Sequence, residues 1–342
     1  MSFQFDLNTI WFILVGGLFT GYAILDGFDL GTGGLHLLTK TDNERRLLLN
    51  AIGPVWDGNE VWLVTGGGAL FAAFPEVYAT SFSGFYMAFI LLLFGLIFRA
   101  VAIDFRSKRE GKVWRQFWDV SFSVSSVVSA LLVGVALGDI ARGIPLNSEF
   151  EYAGTFWRLL DPYALMVGVT TVALFMMHGS IYLLLKTEGD LHEKIRGWVN
   201  PTILFFIICY VFTTMITLVF LPHMADNIKA FPFLMVVPFL NALAIANIPR
   251  EIHHHRDFRA FLSSCAAMAA LMALFGIGMY PDIIMSYPDT ANSLTIYNAA
   301  SSGRTLGIML IIAIIGIPLV LSYTVSIYWI FRGKVKLDEH SY

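Results

Sequence analysis

Stretch after stretch of this chain stays apolar for about the twenty residues that a helix needs to cross the hydrocarbon core of a bilayer. Such runs lie near residues 8–38, 54–74, 76–103, 116–139, 160–186, 198–221, 229–248, 257–279 and 304–331. Backbone N–H and C=O groups cannot go unpaired in hydrocarbon, so runs of this length predict helices. No alternating ten-residue pattern points to a barrel. Composition agrees: 57% of the 342 residues are apolar and 14% are charged, against roughly 25% charged in soluble domains. The expected fold is all-α, a polytopic membrane protein of about nine transmembrane helices. Residues 1–342 read as one integral membrane domain with no soluble domain. The second run is the least regular, since it holds Asp57, Glu60 and three consecutive glycines.

The basic residues orient the chain. Assigned to their nearest loop or tail, lysines and arginines fall on alternate sides of the spans as eighteen against four. The positive-inside rule places the richer side in the cytoplasm, with the N-terminus outside and the C-terminus inside. The first residues lack the basic stretch of a cleaved signal, so the first run is expected to persist as a helix. A net charge of −3 gives no footing for a nucleic-acid partner. The two cysteines, Cys209 and Cys265, sit in apolar runs without metal-ligand spacing and read as reduced structural thiols.

Charged groups inside a span are costly, about 2.5–3.5 kcal/mol each on insertion scales, and usually face protein or water. Three clusters break the apolar pattern. Asp26 and Asp29 in the first run share a helix face. They serve either a tight helix contact, capping nearby backbone, or proton and ion handling. Around them Gly17/Gly21 and Gly27/Gly31 are small-xxx-small pairs that admit a neighbouring helix. The second cluster joins Trp56, Asp57, Asn59, Glu60 and Trp62 behind Pro54. Helix-dipole compensation accounts for the two acids but not for the tryptophans, the asparagine or Gly66–Gly68. The third is Arg99, Asp104 and Arg106, where Arg99 could snorkel to the interface and Asp104 could pair with Arg106 or Lys108. His178, a lone buried histidine, is expected to bond a carbonyl rather than ligate haem. His253–His255 reads as a solvated or lipid-headgroup face, and no metal site is expected.

Taken together, Asp-Gly-Phe-Asp-Leu-Gly at 26–31, Gly-Pro-Val-Trp-Asp-Gly-Asn-Glu-Val-Trp at 53–62 and Phe-Arg-x4-Asp-Phe-Arg at 98–106 resemble subunit II of the cytochrome bd-type quinol oxidases. So do His178-Gly-Ser-x-Tyr-Leu, the stretch Thr187-Glu-Gly-Asp-Leu-His192, and Ser293-Leu-Thr-Ile-x-Asn-Ala-x-Ser-Ser302. The resemblance covers essentially the whole chain. It implies two four-helix bundles plus one peripheral helix in a bacterial cytoplasmic membrane. The family enzyme oxidises a membrane quinol, reduces O2 to water and takes protons from the cytoplasm. Subunit I would carry two b-type haems, one d-type haem and the quinol site, and a small accessory subunit is left open. This chain would be non-catalytic and bind no cofactor tightly. It would support haem assembly and line proton and O2 routes. Matching residues would be Asp57 and Asp104 for proton entrance, with Trp56 beside Asp57, and Trp62 near the gas route; Glu60, Asp26 and Asp29 join the proton set. Two other classes compete. One is an ion-coupled secondary transporter using the intramembrane carboxylates, for which matching interrupted halves are lacking; the other is an assembly scaffold.

Overall fold

The computed structural model describes residues 6–337. Its helices are α1 (Leu7–His36), α2 (Asp42–Ile52), α3 (Trp56–Ala73), α4 (Pro75–Gly84), α5 (Tyr86–Phe105), α6 (Lys112–Arg142), α7 (Pro162–Lys186), α8 (Gly189–Phe220), α9 (Asp226–Ala230), α10 (Val236–His253), α11 (Asp257–Met279) and α12 (Gly303–Ile330). Among the described residues, eight helical segments are long and apolar enough to cross a membrane: α1, α5, α6, α7, α8, α10, α11 and α12. The 54–74 run forms α3, whose 18 residues reach about 27 Å. Asp57, Asn59, Glu60 and the three glycines set α3 apart from the other eight. The 76–103 run is divided: α4 ends at Gly84, and α5 begins after Phe85. Tyr152, from the long loop after α6, packs where a Cβ on Gly84 would lie, 2.9 Å away.

Polarity is inverted relative to a soluble protein. Large apolar side chains stand outward along α8 and α12, as at Val219, Phe220, Ile311 and Leu319. Charged ones are turned inward: Asp26, Asp29, His36, Arg99, Arg106, Asp119 and Asp139 are all at most 1% exposed. Lipid is the solvent that makes this arrangement stable, because it takes up apolar surface and charged groups then find partners only inside.

Helix α1 lies at the centre, against α3, α6, α7 and α11. It groups with α3, α5 and α6, while α7, α8, α10 and α11 form a second group of four. The two groups meet where α1 and α6 pack on α7. Helix α12 stands at the edge, and Leu306 alone of its 28 residues is buried. One end of the bundle carries α2 and most of the lysines and arginines, and is called the basic end below. At the opposite end the loops 143–161 and 280–302 interlock. The short strands β1 (Asp282–Ile284) and β2 (Leu294–Thr295) pair there, and Asn292 Nδ2 donates to Leu146 O at 3.0 Å. The late serine-rich motif does local work at this end. Ser301 bonds the end of α3 through Ala72 O and Ala73 O, and Ser302 caps α12.

Two ties close the basic end. Lys186 Nζ donates to Phe331 O at the end of α12, and Lys334 Nζ donates to Leu184 O at the end of α7 (2.9 Å). Each lysine thus caps the other helix's orphan carbonyls. Glu44, in a capping box with Thr41, receives Lys194 Nζ from α8 at 2.9 Å. Burial opposes its ionisation, but Lys194 and the N–H groups of Lys40 and Thr41 outweigh burial and hold its carboxyl at about 2.

The closest helix approach is α1 on α7. A Cβ at Gly31 would lie 1.8 Å from Phe175 O, and one at Gly179 would lie 2.7 Å from the Gly31 carbonyl carbon. Gly27 and Gly21 are covered by the rings of Phe175 and Trp62, respectively. Gly17, by contrast, meets nothing within 4 Å, so the first small-residue pair makes only half a contact inside this chain. Gly31→Ala is therefore expected to lower the folded protein recovered from detergent-solubilised membranes, because backbone atoms cannot yield as a side chain does. Gly17→Ala should leave recovery unchanged. Equal recovery of both on size-exclusion chromatography would contradict the contact.

Candidate proton-handling site

The buried charges gather into two clusters joined by α1. The first lies about two-thirds of the way along that helix, towards its C-terminal end. Arg99, from α5, grips Asp26 with both terminal nitrogens, Nη2 to Oδ1 at 2.6 Å and Nη1 to Oδ2 at 2.9 Å. The same Nη2 lies 3.6 Å from Glu60 Oε2 on α3. This bidentate fork is the strong form of the carboxylate–arginine contact. One turn along α1, Asp29 Oδ2 accepts from Asn59 Nδ2 at 2.7 Å, and that amide also donates to Leu25 O at 3.1 Å. The carbonyl oxygen of Asn59 accepts from Tyr328 OH at 2.8 Å. Asn59 is therefore the joint between α1, α3 and the peripheral α12, which has few other anchors.

The second cluster closes the basic end. Asp119, on α6 and 1% exposed, accepts from His36 Nε2 (2.7 Å), Arg45 Nη1 (2.7 Å) and both Nε and Nη2 of Arg106. Arg106 continues to Asp42 at 2.8 Å, which also accepts from Arg115. One carboxylate thus fastens α1, α2, α6 and the segment after α5.

Of the residues singled out in the sequence, Asp26, Asp29 and Glu60 come together, with Asn59 beside them. Asp57 and Asp104 do not join them. Both are exposed on the surface of the chain, and no described basic group lies within 4 Å of either. Trp56 is half-buried against the cluster around Phe28, and Trp62 lies over Gly21. Arg99 does not snorkel: it is 0% exposed, because Asp26 offers it a partner at its own depth. Arg106 pairs with Asp119 and Asp42 rather than Asp104. Sequence reasoning missed Asp119, His36, Arg45 and Asp42. The available signal was the polar face Asp119, Ser123, Ser126 and Ser129 in an apolar run at helical spacing.

A haem iron finds no ligand at His178. Its Nδ1 meets Ser264 Oγ at 2.7 Å and its Nε2 donates to Ile24 O at 3.0 Å, so both nitrogens are engaged and the ring stacks on Phe261. The described residues hold no group of three or more histidines, cysteines or carboxylates placed to bind a metal. Cys209 and Cys265 are unpaired.

The family described as cytochrome bd terminal oxidase subunit II matches residues 7–331. This chain belongs to that family. Cytochrome bd-I ubiquinol oxidase subunit 2 of Escherichia coli K12 is 35% identical over 364 residues, covering 97% of this chain and 96% of that protein. Cytochrome bd ubiquinol oxidase subunit 2 of Bacillus subtilis 168 is 33% identical over 343 residues, covering 98% of each. The structure of bd oxidase from Geobacillus thermodenitrificans superposes with a TM-score of 0.78 over 95% of this chain and 98% of its own. At 18% identity it speaks for the fold. As a bd oxidase subunit II, the chain is a transmembrane member of a respiratory oxidoreductase, and the transporter alternative falls away.

Proposed function

We propose that this subunit II sits in the bacterial cell membrane beside a haem-bearing subunit I and delivers protons to it. Quinol oxidation and O2 reduction to water would take place in the partner. The basic end faces the cytoplasm in this reading, in keeping with the excess of lysine and arginine there. The observation that carries it is charge counting in the central cluster. Three carboxyl groups, Asp26, Asp29 and Glu60, share one guanidinium, Arg99. Fully ionised, the set would leave two negative charges without a local partner in a low-dielectric setting. Groups so placed take up and release protons as nearby charge changes, which a relay requires. Asp57 and Asp104, with Trp56 beside the former, then serve as collectors on the surface, and Trp62 flanks an apolar path for O2. Haem stability in the complex would depend on this subunit through contact rather than ligation.

The test uses the assembled complex with Asp29→Asn, Asp57→Asn and Asp104→Asn. Asparagine keeps volume and hydrogen bonding but carries no proton. Haem absorbance per milligram should stay near the wild type, while quinol-dependent O2 consumption and coupled proton uptake fall, most for Asp29→Asn. Unchanged turnover and proton uptake in all three assembled variants would remove the proposal.

A further inference from the structure

From Asp29 of the central cluster towards the basic end, α1 carries a row of polar side chains. Asp29, Thr32 and His36 follow at i+3 and i+4 on one face, and each is 0% exposed. Each also has an atom with no hydrogen-bond partner among the described residues: Asp29 Oδ1, Thr32 Oγ1 and His36 Nδ1. Roughly nine in ten buried polar groups are paired, so three consecutive exceptions on one face call for a cause. Thr32 is the most telling. Elsewhere in the chain Thr20, Thr65, Thr170 and Thr217 donate to the carbonyl four residues back. That is the default for a threonine inside a helix. Thr32 does not. The row spans about 10 Å along the helix, and its lower end is His36, held by Asp119 at the basic end. Beside it, Ser126 of α6 lies against Gly33, where a Cβ would be 2.0 Å from the hydroxyl oxygen. The seam is therefore polar on both helices.

We infer that Thr32 and His36, bridged by water, form a proton inlet from the basic end to Asp29. This rests on the reading of the central cluster as proton-delivering. Asp119 accepts only, so His36 Nε2 is the donor in their 2.7 Å contact, and the lone pair of the neutral ring is at Nδ1. A proton taken up there makes an imidazolium balanced by Asp119. Arg45 and Arg106, on the same carboxylate, oppose a lasting charge, so the ring passes the proton on. A water receives it and hands a proton to the Thr32 hydroxyl, which releases its own to a second water and so to Asp29 Oδ1. One proton enters and one arrives; His36 and Thr32 return unchanged, and no electron moves.

The experiment compares Thr32→Val, Thr32→Ser, His36→Gln and Asp29→Asn in the assembled complex reconstituted in liposomes, in H2O and D2O. Valine keeps the shape of threonine without the hydroxyl. Thr32→Val should slow turnover and proton uptake several-fold with haem content intact and raise the solvent isotope effect. Thr32→Ser should restore both, which a packing role would not explain. His36→Gln keeps a donor for Asp119 and should slow likewise; if it fails to assemble, the Thr32 pair decides. Wild-type rates in Thr32→Val alongside a slow Asp29→Asn would overturn the inlet and leave the central cluster standing. Wild-type rates in Asp29→Asn as well would remove the proton-delivery reading itself.

Discussion

Replacing Arg99 by methionine is expected to deprive the membrane of most of its assembled complex. The guanidinium is fully buried and holds Asp26 by two short bonds, with Glu60 at 3.6 Å. Methionine fills much of the volume but leaves Asp26 beside Glu60 and Asp29 with no cation. Breaking a buried pair from one side costs about 3–5 kcal/mol, since the remaining charge keeps its desolvation penalty. A domain's whole stability is about 5–15 kcal/mol, so the loss is a large share of it. The double variant Asp26→Leu/Arg99→Met removes both charges and should recover much of the yield, because the pair's net worth is far smaller than the penalty for half of it. Fluorescence-detected size exclusion of solubilised membranes reads both. Wild-type yield of Arg99→Met, or no recovery in the double variant, would show that the pair does not hold α1 to α5. Turnover should stay low in the double variant even where yield returns, since a relay carboxyl is gone.

Eight of the nine expected spans were legible because hydrocarbon imposes one demand, length of apolar helix, and the sequence meets it in plain view. The charge alternation between loops was legible for the same reason, each basic residue being assignable to an end without knowing its neighbours. What stayed hidden was pairing between spans. Asp26 and Arg99 are 73 positions apart, and His36 and Asp119 are 83 apart. Each looks like an isolated cost in its own helix, and only the packing of α6 against both α1 and α5, with Arg99 reaching across from α5, turns the costs into partners. The weight given to Asp57 came from its crowded motif; in the folded chain that motif sends Asn59 and Glu60 inward and leaves Asp57 on the surface. Spacing does not separate them, since Asp57 and Glu60 lie three apart just as Trp56 and Asn59 do. The break at Phe85 was not legible, and Tyr152, which packs on Gly84 beside it, belongs to a loop some seventy residues later in the sequence.

Asp119→Asn should be the most damaging single change at the basic end, and it should exceed the loss of any one of its partners. Both carboxylate oxygens of Asp119 receive donors, Oδ1 from His36 and Arg106, Oδ2 from Arg45 and Arg106. An amide of the same shape must point its NH2 at one of those two sets, so a hydrogen bond becomes a clash of donors. It also strands the Arg45 guanidinium and leaves Arg106, 1% exposed, with Asp42 as its remaining carboxylate. The expected loss is again about 3–5 kcal/mol, read as a lower thermal midpoint of the detergent-solubilised complex and less of it recovered. Arg115→Gln is the contrasting control. Its contact with Asp42 is at the surface, 28% and 43% exposed, where an ion pair contributes about 0–1 kcal/mol. Adding Arg45→Gln to Asp119→Asn should return part of the loss, since it supplies a carbonyl where there was a stranded cation. If Asp119→Asn unfolds no earlier than Arg115→Gln, the four-way contact is not what fastens α1, α2 and α6. The inlet proposed through His36 would then lose the carboxylate that balances its proton.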